Sequence, residues 1–317
     1  RKISSQIPDG LSVPIQNNEK TILVNQLNRL KHLNKFEQES TLNIINEEFC
    51  ANPLTPDEIK NIISTSEEML IRQFFDKEKF LHHKLGDYII EACNIKRDSI
   101  SKELFYFNDK KGIYSNEVGY IMGYMTKLCP QLKDYQKQET VKYILNYLYE
   151  DAVPFNTNPY SVVFKNGILD LSTNVFEDMT PSHLESIQIN CSYIQPIQPH
   201  KTVDEFFRTA TNGNKDTERL LYEAIGYAML KTNELQLAFM LVGSGRNGKS
   251  TYLDLVKAVL GKGNYGSISF KDLQNNSPPP CPEYFNTILE EGDLSAIILK
   301  KALYAFRLLL LFLYGLS

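Results

Sequence analysis

The sequence predicts an α/β fold in three consecutive parts: a small all-α adaptor, a mixed α+β middle domain and a final, partial domain built on a parallel sheet. Three observations carry this. Apolar residues recur at helical spacing through the first part, and Asn166-Gly167 sits between two short apolar runs. The apolar run Leu235 to Val242 (LQLAFMLV) leads directly into a glycine-rich loop and an amphipathic helix. The composition can bury such cores, with 42% hydrophobic and 23% charged residues in a chain of 317, a length that allows two or three domains.

Residues 1–19, with Pro8, Gly10 and Pro14, read as a linker. The adaptor spans residues 20–70. Ile22, Leu23, Leu27 and Leu30 mark one helix, and Leu42, Ile45 and Phe49 a second. Thr55-Pro56-Asp57-Glu58 forms a capping box with proline at the first helical position, ahead of Ile59, Ile62 and Ile63. This part carries no catalytic constellation. The middle domain, residues 71–198, is expected to hold a helix over Phe74 to Ile95, a hairpin over Leu104 to Tyr114 turning at Asp109 to Gly112, and further helix from Val118 to Leu148. Val162-Val163-Phe164 and Ile168 to Leu171 then flank Asn166-Gly167, the favoured two-residue hairpin turn because both residues tolerate positive φ. Pro196 to Pro199 reads as a joint.

The last domain, residues 199–317, opens with a helix marked by Phe206, Phe207 and Ala210. A stronger helix follows through Leu220, Leu221, Ala224, Ile225, Ala228 and Met229, starting near Asp216 or Thr217, either of which can cap. Leu235 to Val242 has the pattern of a strand buried on both faces. Directly after it, Gly243-Ser244-Gly245-Arg246-Asn247-Gly248-Lys249-Ser250-Thr251 fits G-x-x-x-x-G-K-[ST], a phosphate-binding loop. Glycine is needed there because backbone N–H groups must curl around phosphate oxygens, where a Cβ obstructs the approach. Lys249 is expected to reach the β- and γ-phosphate oxygens, with Ser250 as a Mg²⁺ ligand through its hydroxyl. Tyr252, Leu253, Val256, Val259 and Leu260 form one apolar face of the following helix, which Gly261 closes. The helix N-terminus adds its dipole to anion binding. About 40 residues past Lys249, Phe285 to Leu289 ends in Glu290-Glu291-Gly292-Asp293, where Glu291 and Asp293 are the candidates for orienting the attacking water and holding the metal. A solvated acidic loop is the competing reading of that stretch.

Several features point elsewhere or nowhere. His82-His83 are adjacent on a predicted helix and so diverge by about 100°, wrong for joint ligation. The tyrosines and phenylalanines from Tyr106 to Tyr160 lack an interleaved basic stripe and read as core rather than as a base-stacking surface. Cys50, Cys93, Cys129, Cys191 and Cys281 have neither disulfide-scaffold nor zinc spacing, which suits a reducing cytoplasm. A net charge of −4 argues against coating nucleic acid through bulk positive charge. No run reaches the roughly 18 apolar residues of a membrane span, so no membrane is expected; Leu308 to Leu313 reads as a core segment. A chain running from Arg1 to Ser317, with no polar tail, reads as a piece of something longer.

On these residues the chain resembles the phage and plasmid primase-helicases whose motor belongs to superfamily 3, a group that includes the poxvirus nucleoside triphosphatase-primase. Gly243, Gly245, Asn247, Gly248, Lys249 and Ser250 reproduce the spelling G-x-G-x-N-G-K-S. Ile45 to Cys50, Asn52-Pro53-Leu54 and the Glu58 helix look like the small helical domain that follows the primase catalytic domain. Val163 to Leu171 looks like the N-G-x-x-D-L hairpin of the helicase-preceding domain. The likeness covers roughly residues 20 to 276. It implies an AAA+-like P-loop NTPase domain, and with it an ATP-dependent DNA helicase using ATP and Mg²⁺. Such a ring translocase works as a homo-hexamer when complete, with single-stranded DNA in its channel and an arginine supplied by the neighbouring subunit. It implies replication of a phage or plasmid in the cytoplasm of a bacterial host. No primase catalytic domain precedes the adaptor, so primer synthesis is not expected. Residues 277–317 depart from the family pattern, as a frame disruption or truncated gene would make them, and leave the sensor and trans-arginine positions unassigned. Two other readings compete: a nucleotide-binding but non-hydrolysing assembly or DNA-loading piece, and a small-molecule kinase, against which the two upstream domains argue.

Overall fold

Helix α1 (Glu19–Arg29), α2 (Lys35–Phe49) and α3 (Pro56–Arg72) form where the apolar spacing predicts them. In this computed structural model the structure describes residues 19–30, 35–50, 52–196, 199–232, 238–243, 247–268, 286–291 and 294–298. The expected linker up to residue 18, the beginning of the apolar run at Leu235, loop residues Ser244 to Arg246, Cys281, the stretch from 269 to 285, Asp293 and the leucine-rich tail lie outside them. Leu23, Leu27, Leu30, Leu42, Ile45, Ile59, Ile62 and Ile63 close into one core, each worth roughly 1.5–3 kcal/mol of burial. The Thr55–Glu58 capping box forms as predicted, the Glu58 carboxylate accepting from the Thr55 N–H at 2.8 Å. Asn46 clasps the turn between α2 and α3, its side-chain amide donating to Leu54 O and accepting from Leu54 N, both at 2.8 Å.

By contacts the chain divides into two compact units, residues 1–107 with 116–153, and residues 108–115 with 154–317. The strand-rich segment after residue 154 thus shares a unit with the residues beyond the Pro196–Pro199 joint. In the first unit the expected helix over Phe74 to Ile95 is interrupted at its start. Residues 75–80 instead form a minimal hairpin, β1 (Phe75–Asp76) with β2 (Lys79–Phe80), turned by Lys77 at φ 55°. The two-residue turn lets the Phe75 and Phe80 rings meet at 5.6 Å, a contact that a helical period does not offer. Then follow α4 (His82–Ala92), β3 (Lys96–Arg97), β4 (Leu104–Asn108), α5 (Val118–Leu128) and α6 (Asp134–Tyr147). Leu85, Ile89, Ile121, Met125 and Ile144 lie in their common core. Gly86 lets the Tyr143 ring lie against α4, since a Cβ there meets the ring at 2.4 Å. The aromatics divide: Tyr106, Tyr114 and Phe155 are buried, whereas Tyr120, Tyr135, Tyr147 and Tyr149 are exposed. His82 and His83 meet Tyr143 edge-on, and no group of three or more metal-ligand residues occurs among the described residues.

The second unit contains β5 (Ile113–Ser115), β6 (Ser161–Phe164), β7 (Gly167–Asp170), β8 (Val175–Glu177), α7 (Lys201–Ala210), α8 (Lys215–Ala228), β9 (Ala238–Val242), α9 (Lys249–Leu260), β10 (Tyr265–Ile268), β11 (Asn286–Glu291) and β12 (Leu294–Ile298). The predicted hairpin forms, but one residue out of the expected frame. Phe164 pairs with Gly167, so the loop is Lys165-Asn166 and glycine sits in the strand. Asn166 does not take positive φ. Its side chain accepts from Tyr193 N and donates to Tyr193 O, both at 2.8 Å, which fixes the loop by another route. Gly167 is required by proximity, because a Cβ there lies 2.4 Å from Glu177 O on β8. Asn214, rather than Asp216 or Thr217, caps α8, accepting from Thr217 N at 3.0 Å.

The sheet of the last part is four-stranded in the order β10-β11-β12-β9, and it is mixed rather than parallel. β10 runs parallel to β11, while β12 is antiparallel to both of its neighbours, β11 and β9. The reason lies in the connection. Only residues 292 and 293 separate β11 from β12, which suffices for a hairpin, whereas a parallel crossover needs a dozen or more. β9 also departs from the expectation of burial on both faces. Phe239 and Leu241 join the core under α9, but Met240 is 38% and Val242 76% exposed, so one face only is covered among the described residues.

Replacing Gly167 by alanine pushes a methyl group into the β8 backbone, which cannot swing aside as a side chain can. A loss of about 2 kcal/mol is expected, read as a lower urea midpoint by circular dichroism. An unchanged midpoint contradicts the close approach.

Candidate functional site

β9 ends at Val242, and α9 begins at Lys249 with Gly248 as its N-cap at φ 87°. A left-handed residue at that point is cheap only for glycine, and a Cβ on Gly248 also lies 2.9 Å from the Phe206 ring of α7. Gly243 is less constrained: a Cβ there falls 1.6 Å from the Asn247 side-chain nitrogen, which a turn of that side chain would relieve. Lys249 folds back over the loop, donating to Gly243 O at 2.8 Å and to Asn247 Oδ1 at 3.1 Å. The structure therefore brings Gly243, Asn247, Gly248 and Lys249 together, with Ser250 and Thr251 exposed on the first turn of α9. The first N–H groups of a helix have no partners four residues back and are free to take an anion.

The loop is anchored from within. Tyr252, Leu253, Val256 and Leu260 are buried against Phe207, Ile225 and Ala228. The buried Tyr252 hydroxyl donates to Leu221 O at 2.8 Å, and burial pushes its pKa up. Glu291 is the last residue of β11. It pairs with Leu294 of β12, which pairs with Val242 of β9, so Glu291 stands in the same cross-sheet row as the residue that precedes the loop. β9 and β11 run in the same direction, both antiparallel to the strand between them, so the C-terminal residues Val242 and Glu291 lie at the same end of the sheet. Asp293 lies outside the described residues, as do Ser244, Gly245 and Arg246.

Two further groups of residues hold this arrangement, and sequence reasoning missed both. At the C-terminal end of α9, Asn190 donates its backbone N–H to Val259 O at 2.8 Å and its side-chain amide to Ala258 O at 3.1 Å. Asn264 donates to Leu260 O at 2.8 Å and to Gln188 O at 2.7 Å. Near the end of α8, Lys231 donates to Ser161 Oγ of β6 at 2.6 Å and forms a buried ion pair with Glu185, the side chains being 6% and 3% exposed. Burial raises the Glu185 carboxyl and lowers the Lys231 ammonium, each partly offset by the other's charge. No hydrophobic period or motif marks an asparagine or a lysine for such partners, which, Leu260 apart, lie 46 to 76 residues away in sequence.

The fold is a mixed α/β arrangement in which a strand, a glycine-containing stretch and a helix follow one another over residues 238–260, ahead of three further strands. Residues 64–212 match the family described as "D5 N terminal like". Over 208 residues, 64% of this chain, it is 24% identical to a protein of Acanthamoeba polyphaga mimivirus named "Putative helicase L207/L206". That match covers 19% of the viral protein, so the chain spans about a fifth of that relative's length. The relative is thus from a mimivirus, whereas the sequence resemblance pointed to phages and plasmids of bacteria. No helix among the described residues is long and apolar enough to cross a membrane.

Replacing Lys231 by methionine leaves the Glu185 carboxylate buried and unmatched, at an expected cost of about 3–5 kcal/mol. The double replacement Glu185→Leu with Lys231→Met is expected to recover most of it. Both are read from urea denaturation midpoints, and a double variant no more stable than Lys231→Met contradicts the pairing.

Proposed function

We propose that this chain is the nucleotide-binding portion of a primase-helicase-like protein, an ATP-driven DNA helicase motor of superfamily 3 type with the helical adaptor and middle domain that precede it. The observation that carries the reading is the seat at the start of α9. There, Gly248 in a left-handed conformation against Phe206, the Lys249 ammonium and the start of α9 follow directly on a strand. The match to the D5 N terminal like family over residues 64–212 and the similarity to a viral protein named as a helicase support the wider assignment. These residues suit a nucleoside triphosphate with Mg²⁺. The amides of residues 243–249 and the Lys249 side chain would hold the phosphates, with Arg246 and Thr251 as further candidate contacts. The Ser250 hydroxyl would take the metal, together with Asp293. Mg²⁺ supplies charge neutralisation at the transferred phosphoryl group, and Glu291 would orient the attacking water. Single-stranded DNA is the proposed partner, in the channel of a ring of six copies of the complete protein.

A second reading, nucleotide binding without turnover, is favoured by one observation. β12 lies antiparallel between the two strands whose ends would carry the loop and the acid.

Lys249→Ala is expected to lower affinity for a fluorescent ATP analogue at least a hundredfold, because the ammonium is the one side-chain cation at the described part of the seat. Glu291→Gln is expected to keep that affinity and abolish any DNA-stimulated phosphate release. Unchanged affinity in Lys249→Ala refutes the seat, whereas binding without phosphate release by the unaltered chain selects the second reading.

A further inference from the structure

Resting on that nucleotide seat, we propose that the strand-rich segment around β6, β7 and β8 acts on the phosphate loop through α9, with Asn190 and Asn264 as positioning residues for nucleotide binding. The helix has 12 residues, about 18 Å of rigid rod. One end carries Gly248 and Lys249. At the other, the carbonyls of Ala258, Val259 and Leu260, which an isolated helix leaves to water, accept from Asn190 and Asn264. Asn190 belongs to the strand-rich segment, because Ile189 N donates to Val163 O of β6 at 2.9 Å and Ile189 is buried with Val162, Phe164 and Leu169. Gly261, at φ 87°, lets this segment approach, since a Cβ there lies 2.7 Å from Asn190 Cβ.

A second tie runs in parallel. Lys231, three residues past α8, is bonded to Ser161 of β6 and to Glu185. Met229 lies against both the α9 core and the β6–β7 core. Any shift of α9 along its axis therefore strains hydrogen bonds of 2.7–3.1 Å at its far end, and these tolerate little stretching. If α9 takes two axial positions that its two ends favour differently, each end changes the other's equilibrium by the same factor.

The test is hydrogen exchange on the full chain with and without MgATP, together with nucleotide titration of the Asn190→Ala/Asn264→Ala double variant. The proposal predicts that MgATP slows exchange of the amides at 188–191 and 258–264 at least fivefold, and that Lys249→Ala removes this response. It also predicts a five- to tenfold weaker affinity in the double variant. If the unaltered chain binds nucleotide while exchange at both stretches stays the same, the coupling is wrong and the seat stands. If the unaltered chain binds no nucleotide, both fall. A double variant that does not fold leaves the exchange experiment to decide.

Discussion

The last carbonyls of α9 are the constraint on which the second unit depends. A helix leaves its final carbonyls without internal donors, and a buried one without any donor costs about 1–3 kcal/mol. Here the donors come from a segment about 70 residues upstream, Asn190, and from Asn264 just beyond the helix. The same segment runs through Ile189 into the β6–β7 core. The loop at the other end is defined with respect to that anchoring: Gly248 lies against Phe206, and Lys249 reaches back to Gly243. Apolar burial along α9 sets the helix in its layer, while the polar bonds at its ends set its axial position.

The mixed sheet follows from chain length in the same direct way. A two-residue connection after Glu291 turns β12 back on β11, and β12 then occupies the place beside β9. The effect on the proposed chemistry is specific. Glu291 and Val242 remain in register at one end of the sheet, two strand spacings or about 10 Å apart. The second face of β9, with Met240 and Val242, is left to solvent among the described residues.

Local features were the legible part of this sequence. The Thr55 capping box, the α9 face of Tyr252, Leu253, Val256 and Leu260, and the Gly261 terminus each depend on residues within one or two turns. The proximity of Gly243, Asn247 and Lys249 was legible for the same reason, since it is a property of the short segment itself. Errors arose where a local rule met a distant partner. Asn166-Gly167 read as the turn, yet Tyr193 captures Asn166 and Glu177 O crowds Gly167, shifting the frame by one residue. The apolar run ending at Val242 read as doubly buried, because hydrophobicity reports a capacity for burial and not which layers arrive to cover it. The pairs Lys231–Glu185 and Asn190–Ala258 were illegible: polar side chains acquire such partners only once the fold has brought them together.

The strand–loop–helix at residues 238–260 is proposed as a seat for a metal-bound triphosphate. Titration calorimetry of the intact chain with MgATP addresses it most directly. The account predicts a saturable single-site isotherm that disappears when tripolyphosphate already fills the seat. Heat indistinguishable from dilution at millimolar nucleotide, on a chain shown by circular dichroism to be folded, contradicts it.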